Sequence, residues 1–294
     1  MKTGFISIVG RPNVGKSTLL NKMLGQKISI TSRKPQTTRH TITGIRTTDS
    51  SQMIFVDTPG IHKKQPKAMN QYMNRSALQS LHDVDLVLFV VEGTRWTDED
   101  ENVLQKLQTV KCPVILLVNK IDVIKEKEQL LPHLKTLSEK YQFHDVIPVS
   151  AKHGDQLGNL YKVIEDLLPE GQAFYSEDQI TDRSSRFLAS EIVREKLMRT
   201  LGQELPYALT VEIEQFKDNG GLLEIAAVCW VERKGQKAIL IGKQGSKLKE
   251  IGKQARIDME KLFDQKVFLQ LWVKVKEGWS DDIRALRSLG YNED

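Results

Sequence analysis

"GRPNVGKST", Gly10 to Thr18, follows directly on the apolar run "FISIV" at Phe5–Val9. It meets the pattern G-x-x-x-x-G-K-[ST], and each fixed place has a physical reason. Gly10 and Gly15 let the loop backbone through Arg11, Pro12, Asn13 and Val14 wrap a row of phosphates. Lys16 reaches the terminal phosphate oxygens, the Ser17 hydroxyl ligates Mg²⁺, and Thr18 enters the helix that such a loop opens. A strand, a glycine loop and a helix in that order predict a nucleotide site in an α/β fold.

Working outward, residues 4–169 alternate short apolar runs with longer amphipathic ones. The strand candidates are "FISIV", "TITGIRT", "MIFVD", "LVLFVVE", "VILLVN" and "VIPVS". Helices are expected after Lys16 and over Lys67–Leu81, Asp98–Leu107, Lys125–Lys140 and Gln156–Leu168. Continuous apolar strands alternating with helices predict a mostly parallel six-stranded sheet with helices on both faces. "TITGIRTTDSSQMIFVD" reads as a hairpin, which adds one antiparallel edge.

The base and the metal find their partners at strand ends. "NKID", Asn119 to Asp122, follows "VILLV" where α/β folds bind ligands. Guanine offers adjacent N1–H and N2–H donors that one carboxylate, Asp122, can accept together, whereas the N1 acceptor of adenine would be repelled. Asn119 and Lys120 flank and cover the base. "VDTPG" supplies Asp57 for Mg²⁺, followed by Thr58, Pro59 and Gly60, whose N–H can meet a γ-phosphate. "SAK", Ser150, Ala151 and Lys152, ends another strand and either supports the base through backbone N–H groups or is an ordinary strand-to-helix turn. Ile61 stands where many GTPases place a water-orienting glutamine, so intrinsic turnover is expected to be slow.

Composition narrows the class. With 294 residues, two domains are expected, and 39% hydrophobic with 28% charged residues describes an ordinary globular chain. Cys112 and Cys229 lie far apart in apolar runs and form neither a metal spacing nor a disulfide framework, so a reducing cytoplasm is expected. No apolar stretch approaches the roughly 18 residues of a membrane span, and "MKTGFISIVG" enters a strand without a signal-peptide pattern. The net charge is +5 and the second half of the chain is neutral on balance, yet residues 232–256 hold eight basic and two acidic side chains, a local basic patch.

That basic stretch contains "IGKQGSKLKEIGKQAR", Ile241 to Arg256. Its Gly242-Lys243-Gln244-Gly245 is too short to encircle phosphates. A GxxG turn entering a helix with basic neighbours is instead the mark of a KH module, which clamps about four single-stranded nucleotides. Lys243 and Lys247 would meet phosphates, with Arg233, Lys234, Ser246, Lys249 and Arg256 around them, while Ile239 and Ile241 would line the base groove. The expected order here is helix, strand, strand, GxxG, helix and strand, a smaller α+β domain of type II KH form. "PEGQAFYSEDQITD", Pro169 to Asp182, loses periodicity and marks the boundary, giving 1–172 as the nucleotide domain, 173–184 as linker and 185–294 as the KH domain with a tail.

Together "GRPNVGKST", "TSRKPQTTRH", "DTPG", "NKID" and "SAK", followed by the GxxG region, resemble the Era family of ribosome-assembly P-loop GTPases over nearly the whole chain. The resemblance implies a GTP/GDP switch that binds the 3′ end of 16S ribosomal RNA and the 30S precursor, with Mg²⁺ as cofactor. It implies a first switch at Thr31–Thr41, in which Thr38, favoured over Thr37, joins Ser17 and Asp57 on the metal, and a second mobile segment at "GIHKKQPKAMN". Lys16, Asn13, Thr38 and Gly60 would carry the catalysis. Asn13 would either admit K⁺ at the position of an arginine finger or fix the loop by hydrogen bonds. A monomer in the cytoplasm, with peripheral association to the inner membrane, is implied as well. The alternative is a GTPase gating tRNA modification or another RNA-processing step, which would call for a reactive cysteine or a cofactor site in the second domain.

Overall fold

The computed structural model describes residues 1–32, 34–61, 67–202 and 205–291. Two compact units are present: Met1–Ser29, Thr38–Pro66 and Asn70–Asp182 in the first, and Ile30–Thr37, Lys67–Met69 and Arg183–Asp294 in the second.

In the first unit the strands are β1 (Lys2–Val9), β2 (Ile42–Thr47), β3 (Ser51–Asp57), β4 (Leu86–Glu92), β5 (Val114–Asn119) and β6 (Asp145–Pro148). They run in the order β2-β3-β1-β4-β5-β6. Among these strands only the β2–β3 hairpin is antiparallel. β4 and β5 are buried on both faces, which explains why "LVLFVV" and "VILLVN" read as unbroken apolar runs. The helices are α1 (Lys16–Leu24), α2 (Ala68–Gln79), α3 (Asp98–Leu107), α4 (Leu130–Ser138) and α5 (Leu157–Leu167).

Two local signals set helix boundaries. Thr97 and Asp100 form a reciprocal capping box on α3, whose first turn carries Asp98, Glu99, Asp100 and Glu101 against the positive helix end. The single helix expected over Lys125–Lys140 is instead a 3₁₀ turn at Lys127–Gln129 followed by α4. Pro132 is the reason: it lacks an N–H and is tolerated only in a first helical turn, so the α-helix starts just before it.

The stretch expected to be a linker is strapped to the first sheet. Phe174 and Tyr175 N–H donate to Gln52 Oε1 at 2.7 and 3.0 Å, and Gln52 Nε2 donates to the Tyr175 carbonyl. Ile45 N–H donates to the Ile180 carbonyl at 2.8 Å, and Thr181 Oγ1 to the Thr43 carbonyl at 2.6 Å. An extended strap has neither helical nor strand periodicity, so in sequence it looks like free chain.

The second unit contains α6 (Ser185–Thr200), β7 (Leu209–Asp218), β8 (Leu222–Val231), α7 (Lys234–Ile241), α8 (Ser246–Phe263), β9 (Lys266–Val275) and α9 (Ile283–Ser288). Its sheet order is β7-β8-β9, with β7–β8 antiparallel and β8–β9 parallel. A parallel neighbour requires a crossover, and α7 and α8 supply it. The element order expected from sequence lacks α7. Its eight residues begin "KGQK" and end "AILI", so no full amphipathic repeat develops; the Gln236 side chain, accepting from the Arg233 N–H at 2.9 Å, fixes its start. Val193, Leu197, Ile225, Ala227, Leu240, Ile251, Ala255 and Met259 are among the buried residues of the core beneath this sheet.

Ile251 is fully buried on α8. Ile251→Ala is expected to destabilise the second unit by about 2–5 kcal/mol, seen as a lower urea midpoint for its transition.

Candidate functional site

The chain reverses from β1 into the phosphate loop, and Gly10, Asn13 and Gly15 all take positive φ there. Lys16 is buried, and its Nζ donates to the Gly10 and Arg11 carbonyls, each at 3.0 Å. Burial pushes this ammonium down to about 8; Arg11 adds to the shift, while Asp57 opposes it. A phosphate oxygen would replace two neutral carbonyl acceptors with a charged one. Thr18 follows in α1.

Beside Lys16, three oxygen groups converge. Ser17 Oγ donates to Asp57 Oδ2 at 2.8 Å and lies 2.8 Å from Thr38 Oγ1. Ser29 Oγ, a residue no motif singles out, also donates to Asp57 Oδ2, at 3.0 Å. Asp57 Oδ1 is buried with no hydrogen-bond partner among the described residues. Burial pushes the Asp57 carboxyl up, against the pull of Lys16, the two serine hydroxyls and the Thr58 N–H. Two hydroxyls and a carboxylate with a spare buried oxygen form a hard donor set that fits Mg²⁺. Thr37 Oγ1 instead engages Ser32 Oγ at 2.8 Å and the Lys34 carbonyl at 2.7 Å, so Thr38 is the threonine beside this cluster.

Behind the cluster, Thr58 Oγ1 donates to the Ile8 carbonyl, Pro59 is buried, and Gly60 lies against Pro12. Ile61 is 1% exposed and belongs to the same core as Val9 and Phe89, so its side chain cannot handle water at the phosphates. Of "GIHKKQPKAMN", residues 62–66 lie outside the described residues, as does Arg33 of the first switch.

The base loop is tied to the phosphate loop. Asn119 Nδ2 donates to the Val14 carbonyl at 2.7 Å, and Asn119 Oδ1 accepts from Ala151 N–H at 2.9 Å. Gly15 is the close approach: a Cβ there would stand 2.3 Å from Asn119 Nδ2. Ser150 Oγ donates to Asp122 Oδ1 at 2.7 Å, leaving Oδ2, 3.9 Å from His153 Nε2. "SAK" therefore orients the Asp122 and Asn119 side chains through the Ser150 hydroxyl and the Ala151 N–H, while Lys152 is exposed. Lys120 Nζ donates to the Asn13 carbonyl at 2.7 Å and to Glu92 Oε1 at 2.8 Å. Glu92 is invisible to a sequence reading because an acidic strand end carries no motif, and Asp100 reads there only as part of a helix cap.

In the second unit Lys243–Gly245 forms a 3₁₀ turn with Gly242, Gln244 and Gly245 at positive φ, and α8 begins at Ser246. A groove of about 760 Å³ lies beside it, lined by Gly245, Ser246, Leu248, Lys249, Gly252, Lys253, Arg256, Leu269 and Leu271, with Glu250 also at its edge. A second hollow of about 610 Å³ is bordered by Lys234, Lys237, Ala238, Ile241, Lys274 and Val275. Of the two residues expected to line the base groove, both on α7, Ile241 borders the second hollow and Ile239 is 49% exposed outside both linings. Arg233, Lys243 and Lys247 also lie outside both linings, Lys243 on the turn itself. The signals that could have located the groove are the i, i+4 face Leu248/Gly252/Arg256 and the alternation Leu269/Leu271.

Known proteins divide in the same way. Residues 5–120 match the family model of the 50S ribosome-binding GTPases, and residues 204–280 match the KH domain model. The chain is 63% identical over 289 residues to the GTPase Era of Glaesserella parasuis, covering 98% of this chain and 96% of that one. It is 60% identical over 290 residues to that of Ectopseudomonas mendocina, covering 99% and 97%. Among solved structures it resembles an Aquifex aeolicus Era variant bound to GDP and aluminium fluoride, with 40% identity, full coverage of both chains and a TM-score of 0.96. It is equally similar, at the same identity, coverage and TM-score, to Era in complex with MgGDPNP and nucleotides 1506–1542 of 16S ribosomal RNA.

A lysine pushed down to about 8 has a consequence for binding. Phosphates favour the ammonium, so nucleotide entry above that pH must take up a proton. GDP affinity is expected to fall by up to about tenfold per pH unit above 8. Calorimetry in buffers of different ionisation enthalpy should show proton uptake at pH 8.5 that fades at pH 7; identical heats across buffers at pH 8.5 would mean that no proton is taken up and that Lys16 is already charged.

Proposed function

Because the chain belongs to the Era family of GTPases, we propose that its GTP-driven switch binds the 3′ end of small-subunit ribosomal RNA and serves 30S assembly and maturation. The observation that carries this reading is the pairing, in one chain, of a guanine-specific phosphate-loop site with a GxxG turn opening onto an apolar, lysine-rimmed groove. The family member solved with 16S nucleotides 1506–1542 supports the choice of RNA.

Hydrolysis follows from positioning. Mg²⁺ held by Ser17, Thr38 and Asp57 would neutralise charge on the β- and γ-phosphates. Lys16 leaves the Gly10 and Arg11 carbonyls to hold the terminal phosphate, and Gly60 presents its N–H to the same group. Asn119, oriented by Ala151, holds the base loop against Val14, and Asp122, oriented by Ser150, accepts from guanine N1–H and N2–H. With Ile61 buried, no side chain at that position activates water, which leaves turnover slow until a partner or the first switch segment completes the site. Asn13, at the exposed rim of the loop, would either admit K⁺ beside the phosphates or fix the loop by hydrogen bonds.

In the second unit the helix α8 offers its N-terminus and Lys249 and Arg256 to the RNA backbone, with Leu248, Leu269 and Leu271 against the bases. The division into a nucleotide domain over 1–172 and an RNA domain over 185–294 is the working partition, with the strap between them held on the first sheet. In this reading the chain works as a cytoplasmic monomer with peripheral association to the inner membrane; among the described residues no helix is long and apolar enough to cross a membrane. A tRNA-modifying role is disfavoured by Cys229, which is fully buried and whose thiol burial pushes up to about 12, leaving no nucleophile there.

Crosslinking with sequencing in cells tests the assignment: reads should gather at the small-subunit rRNA 3′ end, and reads on tRNA would overturn it. In vitro, Lys243→Glu with Lys247→Glu should weaken RNA binding and flatten the slope of log K against log salt by about 0.7 for each phosphate no longer neutralised. Unchanged affinity and slope would remove the GxxG turn from the RNA path. Single-turnover GTP hydrolysis should be faster in K⁺ than in Na⁺; equal rates would leave Asn13 a purely structural loop residue.

A further inference from the structure

Glu92 ends β4, the strand between β1 and β5, and pairs in register with Asn119. The phosphate loop leaves the end of one neighbouring strand and the base loop leaves the end of the other. The topology therefore sets one carboxylate between two loops, and each loop sends it a cation. Arg11 Nη2 donates to Glu92 Oε2 at 2.9 Å, and Lys120 Nζ donates to Glu92 Oε1 at 2.8 Å. Partial burial would raise the Glu92 carboxyl, but Lys120 and Arg11 together hold it below the ordinary range, so it is ionised at neutral pH.

The other contacts of the two cations are equally specific. Arg11 Nε donates to Asp100 Oδ2 at 3.1 Å, and Asp100 is fully buried as the capping residue of α3. Lys120 Nζ also reaches the Asn13 carbonyl at 2.7 Å. Asn13 and Lys120 both sit at φ 65°, a left-handed conformation that costs free energy in non-glycine residues unless surrounding contacts fix it. Glu92 holds Lys120 directly and the Asn13 carbonyl only through it. It also engages the charge of Arg11 together with Asp100, so Arg11 does not reach for phosphate.

We propose that Glu92 is a positioning residue that locks the base loop to the phosphate loop, presenting Lys120 to guanine and fixing the Asn13 carbonyl through it. The inference rests on the nucleotide-site reading and names a residue that never touches the ligand. Its energetic signature follows from sign. A carboxylate near a phosphate site repels phosphate through space, so removing its charge would tighten every phosphate ligand if Glu92 acted only by its field. If it positions Lys120, the loss must fall on the part of the affinity contributed by the base.

The test uses the full chain with Glu92→Gln, and compares GDP with inorganic pyrophosphate as ligands. GDP affinity is expected to fall about tenfold, in line with removal of one charge-assisted hydrogen bond, while pyrophosphate affinity stays level or rises. In the Lys120→Met background the same substitution should cost less than about twofold for GDP, because the group being positioned is gone. KM for GTP should rise with kcat little changed. Equal losses for GDP and pyrophosphate, additive losses with Lys120→Met, or tighter GDP binding would each overturn the proposal. Should Glu92→Gln lower the thermal midpoint, Glu92→Asp, which keeps the charge but is one methylene short of spanning both cations, must reproduce the GDP-selective loss for the proposal to stand. Failure of the unsubstituted chain to bind GDP would instead refute the nucleotide site itself.

Discussion

The amide of Asn119 is the constraint on which the first unit depends. It spans from the Val14 carbonyl to the Ala151 N–H, so one side chain ties the loops after β1, β5 and β6. Without it the Val14 carbonyl and the Ala151 N–H would lose this partner, at a cost of about 1–3 kcal/mol apiece where they are left buried and unpaired. The contact is possible only because residue 15 has no Cβ. The loops after β1, β5 and β6 are therefore one construction.

The second unit solves a different problem with similar letters. Its Gly-Lys turn joins α7 to α8 within the crossover that parallel β8 and β9 demand. The turn leaves the edge strand β9 and the flank of α8 to form an open groove. A loop that wraps needs many N–H groups facing inward and excludes solvent. A turn that clamps needs only clearance for a passing sugar-phosphate chain, with cations near enough to release its counterions.

Much of this is legible in the sequence because the signals are local and have fixed spacing. The phosphate loop, "DTPG", "NKID" and the GxxG turn are each read within a few residues, and the continuous apolar runs of β4 and β5 point to the parallel sheet. What is not legible depends on partners distant in the chain. The strap at 174–181 is fixed by Gln52 and Thr43, more than a hundred residues away, and no periodicity records such bonds. Ser29 joins Asp57 only through the fold, and Glu92 gains its meaning from the strand order. The helix α7 escapes for a different reason: at eight residues it is too short to display a helical repeat.

The two glycines of the second turn are unequal in a way their shared motif hides. A Cβ at Gly242 would stand 2.7 Å from the Lys247 Cβ, whereas at Gly245 nothing lies within 4 Å. Both have positive φ, 72° and 77°. Gly242 is thus held by sterics and conformation together, and Gly245 by conformation alone. Asparagine tolerates the left-handed region better than other side chains, so at Gly245 it could stand in, placing an amide at the mouth of the groove. A side chain at position 242 would have to displace the first turn of α8, while one at position 245 would meet open space at the edge of the groove without rebuilding the turn.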